Sequence, residues 1–110
     1  MSDELIVLVT TPNAEEASRI ADVLVSERLA ACVNIVPGIE SIYRWEGKVT
    51  RDHESLMIIK TTAKRYDELE RRVKELHNYS TPEVIALRID RGSKQYLQWL
   101  TDSTTNNETR

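Results

Sequence analysis

From Leu5 to Thr10 the chain reads LIVLVT, an unbroken apolar run rich in β-branched residues. That pattern predicts a short strand covered on both faces and central in its sheet. Pro12 ends it. Asn13 offers a side-chain oxygen as N-cap, and Glu16 three residues later completes a capping-box pattern. Ala17, Ile20, Ala21 and Leu24 then share one helical face, with Glu15, Glu16 and Arg19 on the wet side. A helix is predicted over Ala14 to Arg28.

The longest patterned stretch follows, from Leu29 to Lys60. Its first arm alternates: Ile39, Ser41, Tyr43 and Trp45 point one way, Glu40, Ile42 and Arg44 the other. Its second arm puts Leu56, Ile58 and Lys60 on one face and Met57, Ile59 and Thr61 on the opposite one. Glu46-Gly47-Lys48 supplies a tight turn, and Pro37-Gly38 predicts a bulge in the first arm. The period then returns to the helical one. Thr62 is positioned to cap a helix whose stripe is Tyr66, Leu69, Val73 and Leu76, with i,i+4 pairs such as Glu70-Lys74 and Arg71-Glu75 outside. His77 and Asn78 end it, and Pro82 keeps Tyr79 to Glu83 a connector. Val84 to Asp90 reads as a strand. Ser93 caps a short helix carrying Tyr96, Leu97, Trp99 and Leu100, and the polar stretch from Thr101 is expected to fray.

The order is β-α-β-β-α-β plus a helix. Its simplest closed form is an α+β, ferredoxin-like βαββαβ plait: four antiparallel strands, two helices on one face, first and third strands central. The second strand is then a long edge ending in Tyr43 and Trp45. An exposed edge of that kind is normally blunted or covered, so edge-to-edge self-assembly is expected.

Composition narrows the functional classes. The 110 residues suit one domain, 1–110, and 40% hydrophobic content suits a real core. Fifteen basic residues against eighteen acidic give a net charge of -3, without a basic run to follow a phosphate backbone. Nucleic acid is therefore not an expected partner. A membrane is not either, because no apolar run approaches the about 20 residues of a spanning helix. The start lacks a basic segment before its apolar run and reads as a strand, and the single cysteine, Cys32, permits no intrachain disulfide. A reducing cytoplasm is the expected compartment. Neither a Ser-His-Asp nor a Cys-His arrangement is readable, and there is no phosphate-binding G-x-x-x-x-G-K, so an enzyme is not expected.

Four segments carry a resemblance. They are LAACVNIVPGIESIYRWEGKV (Leu29 to Val49), IIKTT (Ile58 to Thr62), the H-x-Y-x-x-P-E of His77, Tyr79, Pro82 and Glu83, and YLQWL (Tyr96 to Leu100). Together they resemble the CutA divalent-cation tolerance proteins over nearly the whole chain. The resemblance implies a homotrimer paired edge to edge through the long second and third strands, and a link to tolerance of copper and other divalent metals. It also implies an architecture similar to PII signalling proteins. A PII-like signalling or scaffold module, binding a small ligand or partner protein between subunits, is the alternative reading.

Two sets of candidate residues result. Cys32, His77 and Glu83 are the metal set, since thiolate, imidazole and carboxylate suit Cu(II) or Zn(II). Against this, a lone Cys is more often a small buried hydrophobe, and His77 would sit favourably at a helix C-terminus. Tyr43, Trp45, Lys60, Tyr79 and Tyr96 are the cleft set: an aromatic-lined cleft between subunits, with Lys60 and Glu83 as polar fixtures, would suit a small molecule or anion. The competing reading is that these aromatics are interface packing. His53, in the charged run Arg51 to Glu54, reads as a solvated residue.

Overall fold

The structure, a computed structural model, describes residues 3–105. Seven elements follow in order: β1 (Glu4–Thr11), α1 (Ala14–Ser26), β2 (Cys32–Trp45), β3 (Lys48–Thr62), α2 (Ala63–Leu76), β4 (Val84–Arg88) and α3 (Lys94–Ser103). The strands form one antiparallel sheet in the order β2-β3-β1-β4, so β1 and β3 are central as the crossover rule requires.

Strand alternation divides the sheet into two unlike faces. Leu5, Val7 and Val9 of β1 and Met57 and Ile59 of β3 point to one side and are buried. There they meet Ala17, Ile20 and Leu24 of α1 and Leu69 and Val73 of α2, which close the core. The other face carries Ile6 and Leu8, Leu56, Ile58 and Lys60, and Ile85 and Leu87, aligned across β1, β3 and β4. β1 is thus sealed on one face only; Ile6 and Leu8 stay half-buried. α3 lies on this second face at one end of the sheet. Its Thr101 Oγ1 donates to Glu4 Oε2 at 3.0 Å, and Thr104 Oγ1 meets Thr62 Oγ1 at 3.5 Å. Glu4 and Thr62 are paired and belong to the same face as Ile6 and Lys60. Among the described residues, no helix lies over the rest of that face.

β3 runs past β1 after the Thr11–Ser55 pair, so Ile39–Trp45 of β2 and Lys48–Glu54 of β3 pair only with each other. This two-stranded ribbon helps to stretch the molecule to 49 × 27 × 21 Å. Its register slips between Val36 and Ile39, at the Pro37-Gly38 bulge, where Gly38 has φ +71°. The ribbon closes through Glu46 (φ 51°) and Gly47 (φ 79°) between the paired Trp45 and Lys48. Two consecutive left-handed residues match the right-handed twist of the flanking strands.

Local chemistry explains where elements end. Asn13 caps α1 as expected, accepting from Glu16 N at 2.8 Å. α1 stops at Ser26 because Arg28 turns left-handed (φ 61°) and Leu29 N bonds back to Leu24 O at 2.9 Å. Thr62 occupies the N-cap position of α2, but its side chain does not cap; it is turned to Thr104 instead. The Glu70–Lys74 and Arg71–Glu75 pairs form at 2.8 Å each. Arg72 pairs with Glu27, which caps the C-terminus of α1, and with Glu75, tying the two helices together. The C-terminal helix is longer than its apolar spacing suggests: it runs to Ser103, and Thr104, expected to fray, is buried. Residues 106–110 of the expected tail lie outside the described residues.

Candidate functional site

The ribbon, the end of β1 and the α2–β4 connector border a cleft of about 580 Å³. β2 contributes Ser41, Ile42, Tyr43 and Trp45; β3 contributes Glu54; the connector contributes Tyr79, Ser80, Thr81 and Glu83; Thr10 lies among them. Alternation accounts for the ribbon's share apart from Ile42, which pairs with Arg51 on the opposite parity. Ser41 faces Asp52, Tyr43 faces Thr50 and Ile39 faces Glu54, all on the side continuous with Leu56.

His77 pins the connector. It is buried, its Nε2 donates to the buried Thr10 carbonyl at 2.7 Å, and its Nδ1 accepts from Tyr79 N at 3.0 Å. The His77 and Tyr79 rings are 4.7 Å apart and tilted by 45°. Tyr79 is thereby aimed across the cleft, where its hydroxyl donates to Glu54 Oε2 at 2.9 Å. Tyr43 donates its hydroxyl to Asp52 in the same way.

Both phenols are held in the protonated form. Burial pushes Tyr79 up to about 12, helped by the bond to Glu54 and the negative charge of Glu54 and Asp52. Tyr43 is raised chiefly by its bond to Asp52. A phenol that holds its proton more tightly folded than unfolded stabilises the fold below the unfolded value of 10.0, and that contribution disappears as pH rises towards about 12. Unfolding free energy should therefore fall with rising pH across that window, and less steeply in Tyr79→Phe. Denaturant titrations of both proteins at stepped alkaline pH check this; identical slopes would contradict it.

The structure gathers the candidate residues differently from the two expected sets. Tyr43, Trp45 and Tyr79 meet as cleft residues, and Glu83 joins them. Lys60 and Tyr96 do not line it within one chain. Lys60 pairs with Cys32 across β2 and β3 and donates its Nζ to Asn34 Oδ1. It stands opposite Ile6, four residues along β1 from Thr10, or about 13 Å at strand rise. Tyr96, on α3, is near Cys32: its phenol is raised by burial and then by Cys32. Its ring is 5.4 Å from that of Trp99. The alternation of β3 already placed Lys60 on the right face; only the strand register shows which end.

The metal set is likewise dispersed. Cys32 is half-buried at the start of β2, Glu83 is exposed in the cleft, and His77 lies beneath the connector with both ring nitrogens hydrogen-bonded. Nor is His77 poised as a solvated cation at a helix end, because its partners are a backbone carbonyl and a backbone amide. Among the described residues, no group of three or more His, Cys, Asp or Glu is placed to hold a metal ion.

Glu54 and Asp52, which accept from the Tyr79 and Tyr43 hydroxyls, are the residues that sequence reading passed over as part of a charged run. The signal was present: extending the Leu56, Ile58, Lys60 face backwards puts both carboxylates on the side of Tyr43 and Trp45. His53, between them, is exposed as expected.

Comparison with known proteins agrees with this architecture. The family described as CutA1 divalent ion tolerance protein matches residues 5–103. A "Divalent-cation tolerance protein CutA" from Thermus thermophilus is 54% identical over 101 residues, covering 92% of this chain and 98% of that protein. "Protein CutA 1, chloroplastic" from Oryza sativa is 56% identical over 100 residues; that match covers 91% of this chain but only 56% of the longer plant protein. Among solved structures, the Thermus thermophilus protein superimposes with a TM-score of 0.91 at 53% identity, covering 93% of this chain and 99% of that one. CutA1 from Oryza sativa gives 0.92 at 53% identity, with 96% and 97% covered. The rice relative is named as chloroplastic. A solved Archaeoglobus fulgidus CutA, at TM-score 0.90 and 41% identity over 93% of this chain and 99% of that one, is described as periplasmic. By sequence over nearly its whole length and by fold, the chain belongs to the CutA1 divalent ion tolerance protein family.

Proposed function

We propose that this protein acts as a homotrimer in the response to divalent metal ions. The observation that carries the assembly is the open sheet face. Ile6, Leu8, Leu56, Ile58, Ile85 and Leu87 form a continuous apolar surface without a helix over most of it, on a sheet whose two edge strands are both free. A second and third copy cover such a face and pair with such edges at once, and the protruding ribbon gives each copy an arm to hold its neighbour.

The metal part of the reading is supported by family membership and by the names its relatives carry. The described residues of a single chain do not offer a closed set of ligands, so copper or zinc is held weakly, at the exposed Glu83 and the Cys32 thiol. His77 stays with Thr10 and Tyr79 and positions the connector. Titration calorimetry of the assembled protein with Cu(II) and Zn(II) tests this. Uptake should fall in Glu83→Gln and in Cys32→Ser. Identical isotherms for wild type and the double variant would refute these residues as the metal contacts.

A further inference from the structure

We propose that Arg19, on the helical side of the molecule, is a positioning residue for the α2–β4 connector: it locks the peptide plane from which His77 sets Tyr79. α1 and α2 cover the opposite face of the sheet from Ile6, Ile58 and Leu87. The contact therefore lies off the surface that further copies of the chain would cover. Neither the trimer nor the metal reading is needed for it.

Arg19 is exposed, yet one guanidinium nitrogen makes two bonds. Its Nη2 donates to Glu16 Oε1 at 2.6 Å, one turn back on α1, and to the Leu76 carbonyl at 2.6 Å, 57 residues away. A solvated i,i+3 ion pair contributes little by itself. The bond to Leu76 differs in kind. Leu76 is the last residue of α2, so its carbonyl has no partner within its own helix. A guanidinium there combines a charge-assisted hydrogen bond with a cation at the negative helix pole. The basic residue of α2's own last turn, Lys74, is engaged with Glu70 instead. The cation that caps α2 is thus supplied by α1.

Leu76 O and His77 N belong to one peptide plane. His77 N donates to Val73 O at 2.8 Å, so the plane is held at its amide by α2 and at its carbonyl by Arg19. Immediately beyond it the chain leaves the helix, with His77 at φ -80° and ψ 146°. The imidazole that reaches Thr10 O and Tyr79 N starts from this plane and inherits its direction. The outer hold is anchored at the same corner as the inner one. Glu16, which orients Arg19, bonds through its amide to Asn13 Oδ1, in the turn that follows Thr10. The connector is therefore fastened to the β1–α1 corner twice, by His77 beneath and by Arg19 outside. Loss of the outer hold frees the Leu76–His77 plane, and the connector opens while the core stays closed.

Amide hydrogen exchange, read by NMR on the assembled protein with a chelator present, tests this. In Arg19→Gln the His77 and Tyr79 amides should exchange about tenfold faster than in wild type, the scale of one charge-assisted bond. Arg19→Lys keeps a cation at this position and should recover part of the protection. Arg72→Gln is the control: it breaks the other tie between the helices, at Glu27, and should leave both connector amides at the wild-type rate. Unchanged exchange in Arg19→Gln would remove Arg19 as a hold on the connector. An equal acceleration in Arg72→Gln would reduce its effect to general helix packing. Either result would overturn the proposal.

Discussion

Replacing Ile85 and Leu87 together with lysine should convert the assembly into folded monomers. Both side chains lie on the open face of β4 and are 51% and 54% exposed in the isolated chain. Covering the remainder is worth about 1 kcal/mol per side chain, and a trimer repeats the gain in every protomer. A lysine in the same place instead has to be taken out of water without a partner, at a cost of several kcal/mol per ion. The protomer itself has little to lose, because neither residue belongs to the helix-covered core. Sedimentation velocity should therefore show loss of the oligomer, while circular dichroism shows a retained fold. A double variant that still sediments as wild type would place the interface elsewhere.

The second large effect concerns His77. His77→Ala should destabilise the fold by about 3 kcal/mol, because it leaves the buried Thr10 carbonyl and the Tyr79 amide unpaired and opens a cavity under the connector. The loss should appear in guanidinium unfolding at fixed protein concentration with a chelator present, which separates it from any metal effect. His77→Gln should recover part of it by restoring one bond. If His77→Ala matches wild type without metal and loses stability only in its presence, His77 is a ligand after all and the positioning role is wrong.

These two residue groups also show what could be read from the chain and why. Periodicity marked the strands, both long helices and the Pro37-Gly38 bulge, because each is a local pattern with one dominant solution. The central place of β1 and β3 followed from the handedness of crossovers. Tyr43, Trp45, Tyr79 and Glu83 were legible as candidates through the family motifs. What escaped were the long-range partners. The Thr10 carbonyl that engages His77 is 67 residues away, and the Thr104 hydroxyl that draws Thr62 from its capping role is 42 residues away. No spacing rule reports such contacts. For Lys60 the face was evident, but its distance from Tyr79 within one chain depends on where the connector crosses the end of β1. Glu54 and Asp52 were within reach and were hidden by reading their run as uniform surface charge.

The sheet's uncovered face is the basis of the proposed trimer, since copies of the chain would cover it for one another. Native mass spectrometry of the purified protein at micromolar concentration tests it most directly. A dominant species of three times the 12.7 kDa chain mass is the predicted result. A stable monomer would contradict the account, because it would leave the row from Ile6 to Leu87 exposed to water without a partner.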